Sequence, residues 1–293
     1  MIEWTQHSHL IEELASKRAI IFIGSGISAG ALSKKEPKTT PPTWKYLLEK
    51  ARDRFLGAEE DKVFVTDLIS KGQLLDAAEI IFDTVSPPAR HAFFTTEFAT
   101  PNYEPCPIHK IIQNINTKVV ITTNYDQIYE QQCGALIAGQ GFKVCKYTDD
   151  NLLNSIRYKD NVIIKAHGCV SQTENIVLTR SDYFKMKRDF SQFYCILNSL
   201  LMVNTVLFLG CSMSDPDIQL VLENTTISAP SNYAHYAIMP QGVHSSLSKS
   251  MEKSYNIKIL EYELDETGGH SKLTEYLNDL QILVAEQRPI MLG

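Results

Sequence analysis

Short apolar runs set between longer stretches of helical periodicity organise this chain. Ala19–Ile23 is apolar throughout and leads straight into Gly24-Ser25-Gly26. A run of that length closed by glycine predicts a strand buried on both faces. Similar runs predict strands at Lys118–Thr122, Val162–Ala166, Thr205–Leu209, His235–Met239 and Ile257–Glu261. The intervening pattern is helical. Ile11–Arg18 predicts a short leading helix, and Thr43 is a good N-cap for a helix from Trp44 to about Phe55. Leu32–Pro42 is polar and carries prolines, which predicts a loop.

From about Asp61 to Asn116 only helical patterning is found. Leu74, Leu75, Ala78, Ile80, Ile81 and Phe82 suit one helix, Pro87-Pro88 opens another, and His109 to Ile115 suits a third. Further helices are predicted in pairs between Arg180 and Met202, from about Asp215 to Glu223, and over Ser271–Glu286. Apolar strands alternating with helices predict an α/β fold, a Rossmann-like doubly wound parallel sheet. The chain reads as one domain over 1–293, with a helical insertion at about 56–116.

Composition narrows the function classes. At 293 residues, with 44% hydrophobic and 21% charged residues, the chain has the make-up of a soluble globular protein. Its net charge of −6 gives no electrostatic footprint for duplex nucleic acid, so direct nucleic-acid binding is not expected. No apolar run reaches the ~18 residues of a membrane span. Met1-Ile2-Glu3-Trp4 lacks the basic and apolar regions of a signal peptide, so a cytoplasmic location is expected. Cys106, Cys133, Cys145, Cys169, Cys195 and Cys211 include no pair at zinc-site spacing. They read as reduced thiols, and neither a metal nor a zinc ribbon is expected.

Ligands in such sheets bind at the carboxyl ends of the strands. Those ends read Gly24-Ser25-Gly26, Thr123-Asn124-Tyr125-Asp126, His167-Gly168 and Gly210-Cys211-Ser212, all small or polar. Each has a plain reading as well as a functional one. Gly24-x-Gly26-x-x-Ala29 fits a dinucleotide fingerprint, or a tight turn without a ligand. Asn124 and Asp126 project into a crevice, or cap a helix. His167 is a general-base candidate, or a structural histidine. Ser214 or Asp215 caps the helix opened by Pro216, which would explain Asp215 but not the glycine and serine before it. An ordinary dinucleotide fold also places its next strand and acidic ribose ligand about 20 residues on. Here the next strand begins at Lys118, which argues against a dehydrogenase.

The four turns in this order resemble a sirtuin-type NAD-binding domain over about residues 10–285. The glycine turn resembles that family's Gly-Ala-Gly-Ile-Ser, with Ser25 in place of alanine. Thr123-Asn124-Tyr125-Asp126 resembles its Gln-Asn-Ile-Asp, Ala166-His167-Gly168 its Leu-His-Gly, and Gly210-Cys211-Ser212 its Gly-Thr-Ser. Two departures stand out: the chain lacks the paired Cys-x-x-Cys of protein-deacylating sirtuins, and Pro42-Thr43-Trp44 stands where they carry Pro-Asp-Phe-Arg. These features are similar to bacterial sirtuin-like proteins of antiphage defence, including Thoeris effectors and the partners of HerA-type ATPases. Val177–Tyr183 and Gly268-Gly269-His270-Ser271 also look like that branch.

The resemblance implies NAD+ as the substrate, with hydrolysis of its nicotinamide–ribose bond, depleting NAD in an abortive antiphage response. It implies catalytic roles for three residues: Asn124 orients the ribose and attacking water, Asp126 recognises the carboxamide, and His167 contacts a ribose hydroxyl as general base. Gly24, Ser25, Gly26, Ile27 and Ser28 would cradle the pyrophosphate through backbone N–H groups. Gly210, Cys211, Ser212 and Asp215 would hold the adenosine side, with Thr43, Trp44 and Thr123 completing the contacts. It also implies a homo-oligomer activated by a partner, with a hexameric HerA-type ATPase as the leading candidate. Protein deacylation and a non-catalytic NAD or ADP-ribose-binding component remain alternatives.

Overall fold

The computed structural model describes residues 2–135, 141–213, 215–228, 231–266 and 268–292. Its strands are β1 (Ala19–Ile23), β2 (Leu32–Ser33), β3 (Tyr103–Glu104), β4 (Val119–Thr122), β5 (Phe142–Lys146), β6 (Asn161–Lys165), β7 (Thr205–Leu209), β8 (His235–Pro240) and β9 (Ile257–Tyr262). Seven of them form one sheet in the order β5-β6-β4-β1-β7-β8-β9, and every neighbouring pair is parallel.

Alternate side chains of β1 feed two hydrophobic layers, as the two-residue period of a strand requires. Ala19, Ile21 and Ile23 face helices Ser8–Ala15, Pro107–Ile115 and Ser271–Leu292. Ile20 and Phe22 face the side covered by Arg180–Asp189, Ser191–Val203 and Pro216–Ser228. The sheet is therefore covered on both sides, the doubly wound Rossmann-like arrangement. From β1 the chain crosses to β4 on one side and later returns to β7 on the other. That reversal opens a crevice beyond the carboxyl end of β1.

Helices Trp44–Phe55, Glu59–Ser70, Leu74–Phe82 and Pro87–Phe94 build a third core between β1 and β4. Phe55, Phe82, Phe93 and Phe94 pack ring to ring within it. Tyr125, just past β4, stands edge-on to Phe94 and Phe98 at 5.6 Å from each. Its hydroxyl donates to the Val177 carbonyl at 2.7 Å. Arg90 reaches the same region and donates to the Ile176 carbonyl at 2.9 Å and to Asp182 at 2.7 Å. These contacts hold the insertion over the carboxyl edge of the sheet.

Several local expectations needed correction. The leading helix is Ser8–Ala15 rather than Ile11–Arg18, because Lys17 turns left-handed at φ 60° and ends it. Leu32–Pro42 is not wholly loop, since Leu32 and Ser33 pair antiparallel with Glu104 and Tyr103. Strand β5 and helices Leu152–Arg157 and Ser245–Tyr255 were not expected. The closing helix runs on to Leu292, and Arg288 on it donates to the carbonyls of Leu14, Ala15 and Ile115. Those are helix-end carbonyls that would otherwise lack donors.

Candidate active site

At the switch point the structure opens a cavity of about 900 Å³, counting its mouth. Its wall comes from the ends of β1, β4, β6 and β7 and from the helical insertion.

Gly24 closes β1, and its N–H donates to the Leu209 carbonyl at 2.9 Å. The Gly26 N–H donates to the Gly210 carbonyl at 3.0 Å, and the Ile27 N–H to the Gly24 carbonyl at 3.1 Å. Two backbone turns thus press directly on one another. A Cβ on Gly24 would collide with the Gly210 carbonyl and stand 2.9 Å from the Cα of Cys211; one on Gly26 would stand 2.9 Å from the Cα of Gly210. The glycines are required first by this backbone contact. The helix that Gly24 caps is four residues, Ser25–Ser28, and contains Gly26.

Asn124 is 9% exposed at the end of β4. Its Nδ2 donates to the Gly24 carbonyl and to Ser28 Oγ, both at 3.1 Å. Both amide hydrogens are committed, so the amide oxygen is what Asn124 offers as an acceptor. Asp126, 4% exposed, accepts from the Ile128 N–H at 3.0 Å through Oδ1. His167, also 4% exposed, follows β6, and its carbonyl accepts from Val177 N–H at 3.0 Å.

Asp215 arrives from the turn after β7. Its Oδ2 lies 3.6 Å from Nδ1 of His167 and accepts from the Tyr183 hydroxyl at 3.1 Å. Its Oδ1 accepts from Ile218 N–H at 3.3 Å, so Asp215 does cap the helix Pro216–Ser228. Ser214 lies outside the described residues. The Tyr183 ring stands edge-on to the imidazole at 5.2 Å and 76°.

Tyr183 is on the wall although the sequence did not single it out. A capping box sets where its helix begins: the Asp182 N–H donates to Thr179 Oγ1 at 3.1 Å, and Thr179 N–H donates back at 2.9 Å. Burial raises the Asp182 carboxyl, but Arg90 and the Thr179 and Leu178 N–H groups outweigh it and hold it below the usual carboxylate range. The Thr-x-x-Asp spacing was the signal that could have placed Tyr183 one turn in.

Of the expected contact residues, the wall includes Gly24, Ser25, Ser28, Trp44, Thr123, Asn124, Asp126, His167, Gly210, Cys211, Ser212 and Asp215. It does not include Gly26, Ile27 or Thr43. Ile27 is 1% exposed in the hydrophobic core. Thr43 faces its own helix, its Oγ1 accepting from Tyr46 N–H. With the Gly24, Gly26 and Ile27 N–H groups already donated, the turn meets the cavity mainly through Ser25 and Ser28. Burial pushes the Cys211 thiol well up, so it is a neutral, unreactive wall group. The Trp44 indole N–H is buried and has no partner among the described residues. Phe22, Phe98, Phe208 and Met213 complete an apolar floor.

Among the described residues the wall carries no Lys or Arg. Nor do those residues hold a group of three His, Cys, Asp or Glu side chains arranged for a metal ion. No helix among them is long and apolar enough to cross a membrane.

Residues 118–260 match the family described as the SIR2-like domain. The matched stretch runs along the parallel sheet from β4 through most of β9. It is 27% identical over 289 residues to the protein named NAD(+) hydrolase ThsA from Acinetobacter baumannii (strain 532279), covering 94% of this chain and 54% of that protein. A Cytobacillus dafuensis protein of the same name is 27% identical over 225 residues, covering 74% and 40%. Defense-associated sirtuin 2 of Bacillus subtilis is 23% identical over 217 residues, covering 73% and 20%. The chain spans about half the length, or less, of these relatives.

Proposed function

We propose that this protein hydrolyses NAD+ to nicotinamide and ADP-ribose in bacterial antiphage defence. The observation that carries the reading is the convergence of Asn124, Asp126 and His167 with the paired glycine turns on one cavity at the switch point. Relatives named NAD(+) hydrolase, matched across most of this chain, support it.

The chemistry suits these groups. Nicotinamide leaves as a neutral molecule, taking the electrons of the C–N bond onto its ring nitrogen, so no general acid is needed. The acid–base carboxylate pair of ordinary glycosidases is therefore not required. Water adds its oxygen to the ribose carbon and releases one proton. In this reading the Asn124 oxygen orients the ribose or the water, Asp126 holds the carboxamide, and His167 accepts a proton from a ribose hydroxyl or the water. The Ser25, Ser28 and Ser212 hydroxyls and the Trp44 indole N–H serve the pyrophosphate and riboses in place of cations.

The same resemblance supports a cytoplasmic homo-oligomer controlled by a partner, with a HerA-type ATPase as the candidate to test first. The experiment for the activity incubates the full chain with NAD+, with and without an acyl-lysine peptide. Equal amounts of nicotinamide and ADP-ribose, independent of the peptide, are expected. Cleavage only with the peptide, yielding its acyl-ADP-ribose ester, would replace hydrolysis by deacylation.

A further inference from the structure

Asp215 was expected to contact the adenosine half of the ligand, yet its carboxylate is directed at the imidazole. We infer that Asp215 is a positioning residue for His167, fixing the imidazole in the tautomer protonated at Nδ1 and leaving Nε2 as the accepting nitrogen.

Four observations carry this. Asp215 Oδ2 is the group next to Nδ1, at 3.6 Å. The same oxygen accepts from the Tyr183 hydroxyl at 3.1 Å, which directs the carboxylate toward the ring. The other oxygen is occupied by the Ile218 N–H at 3.3 Å, which fixes the side chain from its second end. The Tyr183 ring packs edge-on against the imidazole at 5.2 Å, so the hydroxyl that holds Asp215 and the ring that holds His167 belong to one side chain. His167 and Tyr183 are buried, while the Asp215 side chain is 21% exposed.

A carboxylate accepts only, so the nitrogen facing it must carry a hydrogen. A neutral imidazole carries one hydrogen, so the opposite nitrogen is then the base. At 3.6 Å the two groups face one another just beyond hydrogen-bond distance, and contacts of this kind commonly tighten on substrate binding. The catalytic consequence rests on the hydrolase reading above. The tautomer does not.

The test measures ring-nitrogen chemical shifts of His167 in the 15N-labelled full chain, assigned by comparison with H167Q, in wild type, D215N and Y183F at a pH where the imidazole is neutral. Wild type is expected to be protonated at Nδ1. D215N offers an amide N–H to the ring and is expected to invert the tautomer, while Y183F gives a mixture. In parallel, kcat for nicotinamide release is expected to fall about 10–100-fold in D215N, the range for losing a histidine's supporting partner, with KM for NAD+ nearly unchanged and partial recovery in D215E. A tautomer indifferent to D215N overturns the inference, as does a raised KM with unchanged kcat. A tautomer that inverts in a protein that leaves NAD+ intact upholds the positioning and removes the hydrolase reading.

Discussion

Lys165 and Glu130 form an ion pair at 2.7 Å with side-chain exposures of 0% and 1%, directly beneath the candidate site. The same ammonium donates to the main-chain carbonyl of Asp126, so a buried charge ties β6 to the loop bearing two expected site residues. Burial works against the lysine's charge, but the acidic groups around it, Glu130 first, outweigh that cost and hold its pKa above the ordinary value.

Removing one partner would strand the other charge, so K165M should cost about 3–5 kcal/mol. The double variant K165M/E130L should recover much of that loss, because a well-packed apolar pair is often no worse than a buried ion pair. Urea unfolding of wild type and the two variants checks this. A K165M protein as stable as wild type would show that the pair is not what holds the Asp126 loop.

The contact between the turns after β1 and β7 makes a second prediction. G24A puts a methyl group into the Gly210 carbonyl and within 2.9 Å of Cys211 Sγ. Overpacking of that kind should cost about 1–3 kcal/mol, and separating the turns should weaken ADP-ribose binding as well. G57A is the control, since a Cβ there meets nothing within 4 Å. It should change stability by no more than about 0.5 kcal/mol. Thermal melts and calorimetry give both readouts.

His235 sets a pH dependence far from the site. Burial lowers its pKa to about 4 from the usual 6.5, and its Nδ1 accepts from Val206 N–H at 3.1 Å. As pH falls below 6.5 the unfolded chain takes up this proton while the folded one resists until about 4. Stability is therefore full above 6.5 and is lost as pH falls through that window, by about 3 kcal/mol at most. H235N keeps an acceptor for Val206 but does not titrate. Its stability between pH 7 and pH 4.5 should fall less steeply than that of wild type, and equal slopes would place the acid sensitivity elsewhere.

The parts of the fold written in continuous apolar runs were legible from the sequence. β1 and β7 fall where predicted, at Ala19–Ile23 and Thr205–Leu209, because strands buried on both faces leave no polar position to blur the signal. β5 was missed for the converse reason. At the sheet edge Phe142–Lys146 alternates with two lysines and has one buried residue, Cys145. Helix Ser245–Tyr255 was missed because eight of its eleven residues are serine, lysine or glutamate, and it buries only Met251. At the site, strand-end chemistry found the residues that local sequence brings to an edge, such as Asn124 and His167. It did not find Tyr183, which reaches the cavity from a helix, or the contacts that hold that helix across the insertion. It also assigned Gly26 and Ile27 to a ligand, whereas their amides answer the Gly210 and Gly24 carbonyls.

The central claim is tested most directly by the rate of nicotinamide release from NAD+ in wild type against H167A and N124A, with ADP-ribose counted in the same samples. The account predicts equal amounts of the two products from wild type and rates at least about 100-fold lower in each variant, the scale of a lost general base or orienting group. Undiminished release in both variants would contradict it.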